Sequence, residues 1–82
     1  QHNDYRVFLK EFYEEKKRQS ASYSYRSFAQ KAQLNSPNYL KLVIDGQTNL
    51  TVTNIHSFAR ALGLSGDELS YFESLVLLNQ SD

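Results

Sequence analysis

Apolar residues recur along this chain at spacings of three and four, and no segment keeps a strict alternation of apolar and polar residues. The first spacing is that of one face of an α-helix, whereas alternation is typical of a strand. The pattern therefore predicts an all-α fold. Residues that favour helix ends divide the chain into five helices, and the second and third are short neighbours. We expect a five-helix bundle.

Capping residues place the ends of these helices. The predicted N-caps are Asn3 or Asp4, Ser24, Ser36, Thr51 and Ser65. Ser36 is followed by Pro37, which has no amide to leave unsatisfied at the first helical position, so the third helix is predicted from there to Asp45. Gly46 and Gly63 can take the left-handed conformation that ends a helix. Glu68 completes a capping box with Ser65.

The apolar stripes of the five helices predict one shared core. Its expected members are Phe8, Phe12, Phe28, Ala29, Leu40, Val43, Ile55, Phe58, Leu62, Leu69 and Phe72. The fifth helix has more apolar residues than one stripe can use, which predicts an exposed patch around Leu75, Leu77 and Leu78. Such a helix needs a second partner, either another copy in a homodimer or a C-terminal domain. We favour the C-terminal domain.

Length and composition narrow the class of protein. A chain of 82 residues supports a single core, so residues 1–82 are expected to form one domain. It opens on Gln and contains no Met, and we expect it to be part of a longer protein. The polar start is unlike a signal peptide and no apolar run approaches 18 residues, so a cytoplasmic location is expected.

The residue types of catalytic and metal sites are sparse. There is no Cys, and His2 and His56 are far apart in the sequence, so no metal or cofactor is expected. The chain also lacks a glycine-rich phosphate loop and a recognisable Ser, His and acid constellation. An enzyme is therefore not expected.

Charge is unevenly distributed along a chain that holds nine basic and nine acidic residues. From Lys16 to Ile44 there are six basic residues and no acidic one. Residues 24–46 lie largely in this stretch and are predicted to form two short helices joined by a tight turn. A phosphate backbone responds to the face presented to it rather than to the net charge. This combination indicates a helix-turn-helix that binds DNA.

Particular residues of this pair carry a family resemblance. They are Phe28, Ala29, Leu34, Leu40, Val43 and Gly46. With the later segment ARALGLSGDEL, they resemble the lambda-repressor and Cro-like (XRE-type) DNA-binding domain over residues 24–69. Almost the whole chain also looks like the N-terminal part of a bacterial family in which such a domain precedes a larger domain of unknown role. The resemblance implies a bacterial, repressor-like transcription regulator that binds double-stranded DNA.

The resemblance also implies how DNA is contacted, with the third helix in the major groove. Residues expected to read bases are Pro37, Asn38, Lys41 and Leu42. Residues expected to contact phosphates are Ser24, Tyr25, Arg26, Gln47, Thr48 and Asn49. Asn38 has the amide groups to pair with adenine, and Leu42 can touch a thymine methyl group. Gln33 stands where the family usually has glycine.

Two other interpretations stay open. The segment LKLVI makes the third helix apolar, so the third and fifth helices are also consistent with a protein-interaction module. Six tyrosines are consistent with stacking on single-stranded nucleic acid, although Tyr5, Tyr13, Tyr39 and Tyr71 fall on or beside apolar stripes. Duplex DNA remains the leading hypothesis.

Overall fold

A computed structural model describes residues 4–81, which form five helices and no strand. The helices are α1 (Tyr5–Gln19), α2 (Tyr25–Ala32), α3 (Tyr39–Ile44), α4 (Val52–Leu62) and α5 (Gly66–Gln80). The all-α, five-helix prediction is confirmed for this part of the chain. His2 and the alternative cap Asn3 lie outside the described residues.

Local capping fixes most helix ends where the sequence predicted them. Asp4 accepts a hydrogen bond from the Arg6 amide at 2.9 Å. Thr51 accepts one from the Asn54 amide at 3.2 Å, and Gly63 closes α4 in the left-handed conformation, with φ 78°. α4 therefore begins and ends where expected, because its two end residues act on their own neighbours.

The predicted start of α3 is wrong. The helix begins at Tyr39, and Asn38 is its N-cap without a side-chain capping bond. The Tyr39 amide instead donates to the Ser36 carbonyl at 3.4 Å, which closes a turn over residues 36–39. Proline's fixed φ suits the second position of such a turn as well as the first position of a helix, and here Pro37 occupies the turn.

The predicted capping box of α5 is also absent. Ser65 is the N-cap, but its side chain makes no capping hydrogen bond. Gly66 follows it with a left-handed φ of 56°. The first turn therefore departs from the regular geometry in which a serine side chain reaches the free amides.

The core lies where the five stripes meet. Its fully buried large side chains are Tyr5, Leu9, Phe28, Leu40, Val43, Ile55, Phe58 and Val76. Ala29 and Phe72 are buried as predicted, and Phe12 and Leu62 pack against the core while partly exposed. Two expected members differ: Leu69 is only half-buried and Phe8 is 37% exposed.

The error at Phe8 has a geometric cause. α1 buries Tyr5 and Leu9, which are four residues apart and so lie on one face of the helix. With this face turned toward the core, Phe8 lies at the edge of the core. There its ring lies 6.0 Å from the ring of Phe72, between centroids. On α5, Leu77 and Leu78 are exposed as predicted, whereas Leu75 is half-buried and packs against the core.

The packing order places α3 between two other helices. α1 contacts α3 and α5, α2 contacts α3 and α4, and α4 contacts α5. α3 is thus supported by α1 on one side and by α2 on the other. Tyr39 at its start also packs against Phe58 of α4, whereas Lys41 and Leu42 are exposed.

Candidate nucleic-acid interface

The start of α2 is built by its own sequence. Ser24 accepts a hydrogen bond from the Ser27 amide at 3.3 Å, and the Ser27 hydroxyl accepts one from the Ser24 amide at 3.1 Å. This reciprocal pair satisfies amides that a helix start leaves free. The Ser24 hydroxyl, a predicted phosphate contact, is therefore already engaged as an acceptor. It also lies 3.2 Å from the Ser27 hydroxyl, and either of the two hydroxyls can donate to the other.

Tyr25 and Arg26 occupy the first turn of α2 in different settings. The Tyr25 ring stacks on Tyr13 of α1, with 4.1 Å between centroids and 1° between planes. Burial raises the pKa of Tyr25 above its usual value, and the neighbouring Tyr13 adds a smaller rise. Arg26 is exposed and forms no ion pair within residues 4–81. Of these two predicted phosphate contacts, Arg26 is the more accessible.

The turn between α2 and α3 contains a left-handed residue that is not glycine. Gln33 has φ 58° and ψ 45°, and its amide donates to the Gln30 carbonyl at 3.2 Å. The Leu34 amide then reaches the Ala29 carbonyl at 2.8 Å. Gln33 thus adopts the backbone conformation that glycine adopts most easily. The side chain of Arg60 donates to Gln33 Oε1 at 3.4 Å.

α3 has one buried side and one exposed side, as its sequence predicted. Leu40 and Val43 are buried, whereas the four predicted base-reading residues are exposed. They are Pro37, Asn38, Lys41 and Leu42. Pro37 and Asn38 lie in the turn and at the cap rather than inside the helix. All four therefore share the accessible side of one short segment.

The cation of α3 is paired within its own helix. Lys41 Nζ lies 2.8 Å from Asp45 Oδ2. This hydrogen bond and the charge of Asp45 raise the pKa of Lys41 above its usual value. Both side chains are substantially exposed, so the pair is open to exchange with an external anion. In the free protein, however, the outward face of α3 carries a balanced charge.

Arg6 holds the segment that follows α3. Its guanidinium donates to the Val43 carbonyl, to the Thr48 carbonyl at 2.9 Å and to Asn49 Oδ1 at 2.7 Å. These acceptors include a carbonyl at the C-terminal end of α3, where a positive charge is also favoured by the helix dipole. Arg6 thus ties α1 to the end of α3. No pattern in the sequence predicted this role of Arg6.

The predicted phosphate contacts after α3 are affected unequally by this clamp. Asn49 uses its side-chain oxygen to accept from Arg6, so only its amide hydrogens remain for another ligand. Thr48 contributes its backbone carbonyl to Arg6. Gln47 is exposed, and its backbone amide donates to the Leu42 carbonyl at 2.9 Å. Gln47 and Asn49 are exposed whereas Thr48 is half-buried, and the free amide hydrogens of Asn49 are donors of the kind that a phosphate needs.

Two further polar side chains fix the same segment. Tyr39 donates its hydroxyl proton to the Asn49 carbonyl at 2.8 Å and accepts from Asn54 Nδ2 at 3.1 Å. Gln80 of α5 bonds both backbone groups of Leu50, accepting from its amide at 2.8 Å and donating to its carbonyl at 2.9 Å. Side chains from α1, α3 and α5 therefore satisfy the backbone of the α3–α4 connection.

The basic residues at the end of α1 have local partners. Lys17 Nζ donates to the Tyr23 carbonyl at 2.8 Å, and Arg18 pairs with Glu15. Lys16 Nζ lies 5.9 Å from the ring centroids of both Phe12 and Tyr23. These contacts organise the α1–α2 connection. Lys16 and Lys17 nevertheless form no ion pair with a carboxylate in the described part of the chain.

Comparison of the chain with protein-family models, with curated proteins and with solved structures finds no match. Within residues 4–81, no helix is long and apolar enough to cross a membrane. The same residues contain no group of three or more His, Cys, Asp and Glu arranged to hold a metal ion. The case for a function therefore rests on the α2–α3 geometry and its charges.

Proposed function

We propose that α2 and α3 bind duplex DNA, with α3 in the major groove, as in the lambda-repressor and Cro-like domains that the sequence resembles. The observation that carries this proposal is the division of α3 into a buried side and an exposed side. Leu40 and Val43 anchor the helix, and Asn38, Lys41 and Leu42 stand outward together. One short helix held in this way has the dimensions that the major groove admits.

The charge distribution supports the same proposal. α2, α3 and the connection between them contain the cations Arg26, Lys31 and Lys41 and no acidic residue before Asp45. Arg26 and Lys31 are exposed, so their charges face solvent. Arg26 is suited to a phosphate, which fixes position, whereas Asn38 is suited to a base edge, which gives sequence preference.

The decisive experiment compares these two residues on a selected site and on random duplex. A preferred site is first selected from random duplexes. Arg26→Ala should weaken binding to every duplex and reduce the slope of log affinity against log salt by about one unit. Asn38→Ala should cost about 1–3 kcal/mol on the preferred site only.

Lys10→Ala is the matched control, because Lys10 is an exposed cation of α1 outside the acid-free stretch. It should leave both affinities nearly unchanged. Identical effects of Arg26→Ala and Asn38→Ala on specific and random DNA would contradict the groove-reading arrangement. Failure to select any preferred sequence would contradict it as well.

Asp45 offers a separate test of the same arrangement. Its carboxylate pairs with Lys41 and would repel a phosphate on the adjoining backbone. Asp45→Asn should therefore strengthen binding to all duplexes and steepen the salt dependence by about one unit, as Lys41 becomes available. An unchanged affinity would place α3 away from the backbone.

A second candidate function is protein interaction through α3. The specific observation in its favour is the exposure of Leu42 beside an internally paired Lys41. In this case, Leu42→Ser would abolish binding of the protein partner, and duplex DNA would not be needed for that binding. The salt titration on random duplex separates the two candidates, because an apolar docking face would show no affinity that falls with salt.

A further inference from the structure

An apolar groove lies between α1 and α5, away from the α2–α3 pair. Its volume is about 440 Å³, within the range of roughly 300–1,000 Å³ typical of binding clefts. The apolar residues that line it are Phe8, Leu64, Tyr71, Phe72 and Leu75. Tyr71 is 64% exposed, so a large aromatic side chain is left in solvent beside the groove. No lining residue belongs to α2 or α3.

The rim of this groove is acidic. Glu11, Asp67 and Glu68 line it, and none of its lining residues is Lys or Arg. Asp67 and Glu68 lie in the first turn of α5, where the helix dipole favours negative charge. Glu11 comes from the middle of α1. Carboxylates from two helices therefore converge on one apolar surface.

The apolar surface also continues beyond the groove. Tyr71, Leu75 and Leu78 follow each other on α5 at spacings of four and three residues, which places them on one stripe. Leu78 is 67% exposed. The stripe is about 10 Å long at the rise of an α-helix. An elongated occupant with its own apolar stripe matches this shape better than a compact one.

We propose that this groove binds an amphipathic helix of a partner protein, with large apolar side chains on one stripe and Lys or Arg residues beside it. The apolar stripe would fill the space between Phe8, Tyr71 and Leu75, as in other helix-in-groove complexes. The basic residues would face Asp67 and Glu68, whose carboxylates form no ion pair within residues 4–81. Charge complementarity of this kind selects the partner and speeds its association.

The test begins with selection from a displayed library of amphipathic helices that vary in apolar and charged positions. The domain should enrich peptides with apolar residues at i, i+4 and i+7 flanked by Lys and Arg. A synthetic copy of the best peptide is then measured by fluorescence anisotropy. Its affinity should fall as salt rises, because the rim charges become screened. Enrichment of acidic peptides, or of none, would overturn the proposal.

Variants then locate the binding surface. Tyr71→Ser should raise the peptide Kd by roughly tenfold or more, as expected for an aromatic residue at the centre of an interface. The charge reversals Asp67→Lys and Glu68→Lys together should also raise it and reverse its salt dependence, because salt then screens a repulsion between the rim and the basic peptide. Leu77→Ser is the matched control, since Leu77 is an exposed residue of α5 that does not line the groove. It should leave the Kd unchanged within about twofold.

Two outcomes would assign the surface differently. Self-association in sedimentation experiments that disappears in Tyr71→Ser would give the groove to a second copy of this chain and overturn the proposal. Loss of peptide binding in Leu42→Ser rather than in Tyr71→Ser would move the site to α3 and overturn it as well. Duplex binding measured on the same Tyr71→Ser protein should be unchanged. The two proposals can therefore fail separately.

Discussion

α2 and α3 follow each other in the chain and pack against each other, but different residues hold them in place. α2 is capped at its start by its own Ser24 and Ser27, and at its end by the left-handed Gln33. α3 has only six residues and no side-chain cap at its start. Its C-terminal end and the segment that follows are instead held by Arg6 from α1.

This difference in end contacts indicates which parts of the molecule stabilise each helix. A helix of fewer than about 12 residues is marginal in water, so neither would persist alone. α2 nevertheless has its ends defined by neighbouring residues, whereas α3 depends on residues that are distant in the sequence. The proposed reading helix is therefore positioned mainly by the rest of the domain. Substitutions in these two helices and in α1 test this contrast.

The largest expected effect is at the anchor of α3. Leu40→Ala removes a fully buried side chain and should lower the free energy of unfolding by about 2–5 kcal/mol. Leu42→Ala, on the exposed side of the same helix, should change it by about 0.5 kcal/mol or less. Chemical denaturation of both variants measures the difference. Equal effects would mean that α3 is not anchored through Leu40.

Removal of the clamp at Arg6 should have the next largest effect. Arg6→Met leaves the Thr48 and Val43 carbonyls without their charged donor and should cost about 1.5–3 kcal/mol. Arg26→Met removes an exposed guanidinium of α2 that forms no ion pair in the described part of the chain, and should cost about 0.5 kcal/mol or less.

Hydrogen exchange tests separately how α2 and the α3–α4 connection are held. In Arg6→Met, the amides of residues 45–51 should exchange faster than can be explained by the loss of global stability, while those of α2 should follow the global change. A uniform increase over α2 and the α3–α4 connection would show that the two regions are not held separately.

The two helix starts should respond differently to loss of their N-cap side chains. Ser24→Ala removes a reciprocal capping pair and should cost about 1 kcal/mol. Asn38→Ala removes a side chain that makes no capping bond, so its cost should be well below that of Ser24→Ala. Thermal or urea unfolding under identical conditions provides the measurement. A larger cost at Asn38 would reverse the contrast between α2 and α3.

The smallest expected effect concerns Tyr5, which connects α1 to Gln80. Tyr5→Phe removes the hydrogen bond to Gln80 Oε1 and should cost roughly 0.5–1 kcal/mol at neutral pH. Gln80 keeps both of its bonds to Leu50. The α3–α4 connection should therefore stay ordered in this variant, as judged by its hydrogen exchange.

Tyr5 also gives the domain a pH dependence with a defined sign. Burial raises the pKa of its phenol above the ordinary value of 10.0. The stability that results is fully present below that pH and is lost as the pH rises through the higher pKa of the folded protein. Tyr5→Phe should therefore show a smaller loss of stability above about pH 10. Burial also raises the pKa values of Tyr23 and Tyr25. Part of the loss of stability at high pH should therefore remain in Tyr5→Phe.

The predictable parts of the fold are those encoded by neighbouring residues. Thr51 and Gly63 gave both ends of α4, and the apolar spacing gave the buried side of α3 through Leu40 and Val43. The start of α3 was not predictable, since the fixed φ of Pro37 suits a turn as well as a helix start. The rotation that exposes Phe8 depends on how α1 packs, which its stripe alone does not define.

The candidate interface divides in the same way. The exposure of Asn38, Lys41 and Leu42 followed from the helical period. The pairing of Lys41 with Asp45, four residues apart, could also have been anticipated from their spacing. The roles of Arg6 and Gln80 could not, because most of their partners are backbone groups 30 or more residues away. Every residue has such groups, so no side-chain pattern marks these positions.

The amide of Gln80 has a consequence for how this domain folds. This one side chain offers Leu50 both a donor and an acceptor, as the backbone of a neighbouring strand would. The two residues are 30 positions apart in the sequence. The Tyr5 amide is joined to Asn79 across 74 residues. Such contacts form only after long stretches of chain have closed into loops, which costs entropy before the bonds are gained. The last turn of α5, the first turn of α1 and the connection after α3 should therefore order in one late, cooperative step. Fraying at the end of α5 should then loosen the segment that follows α3.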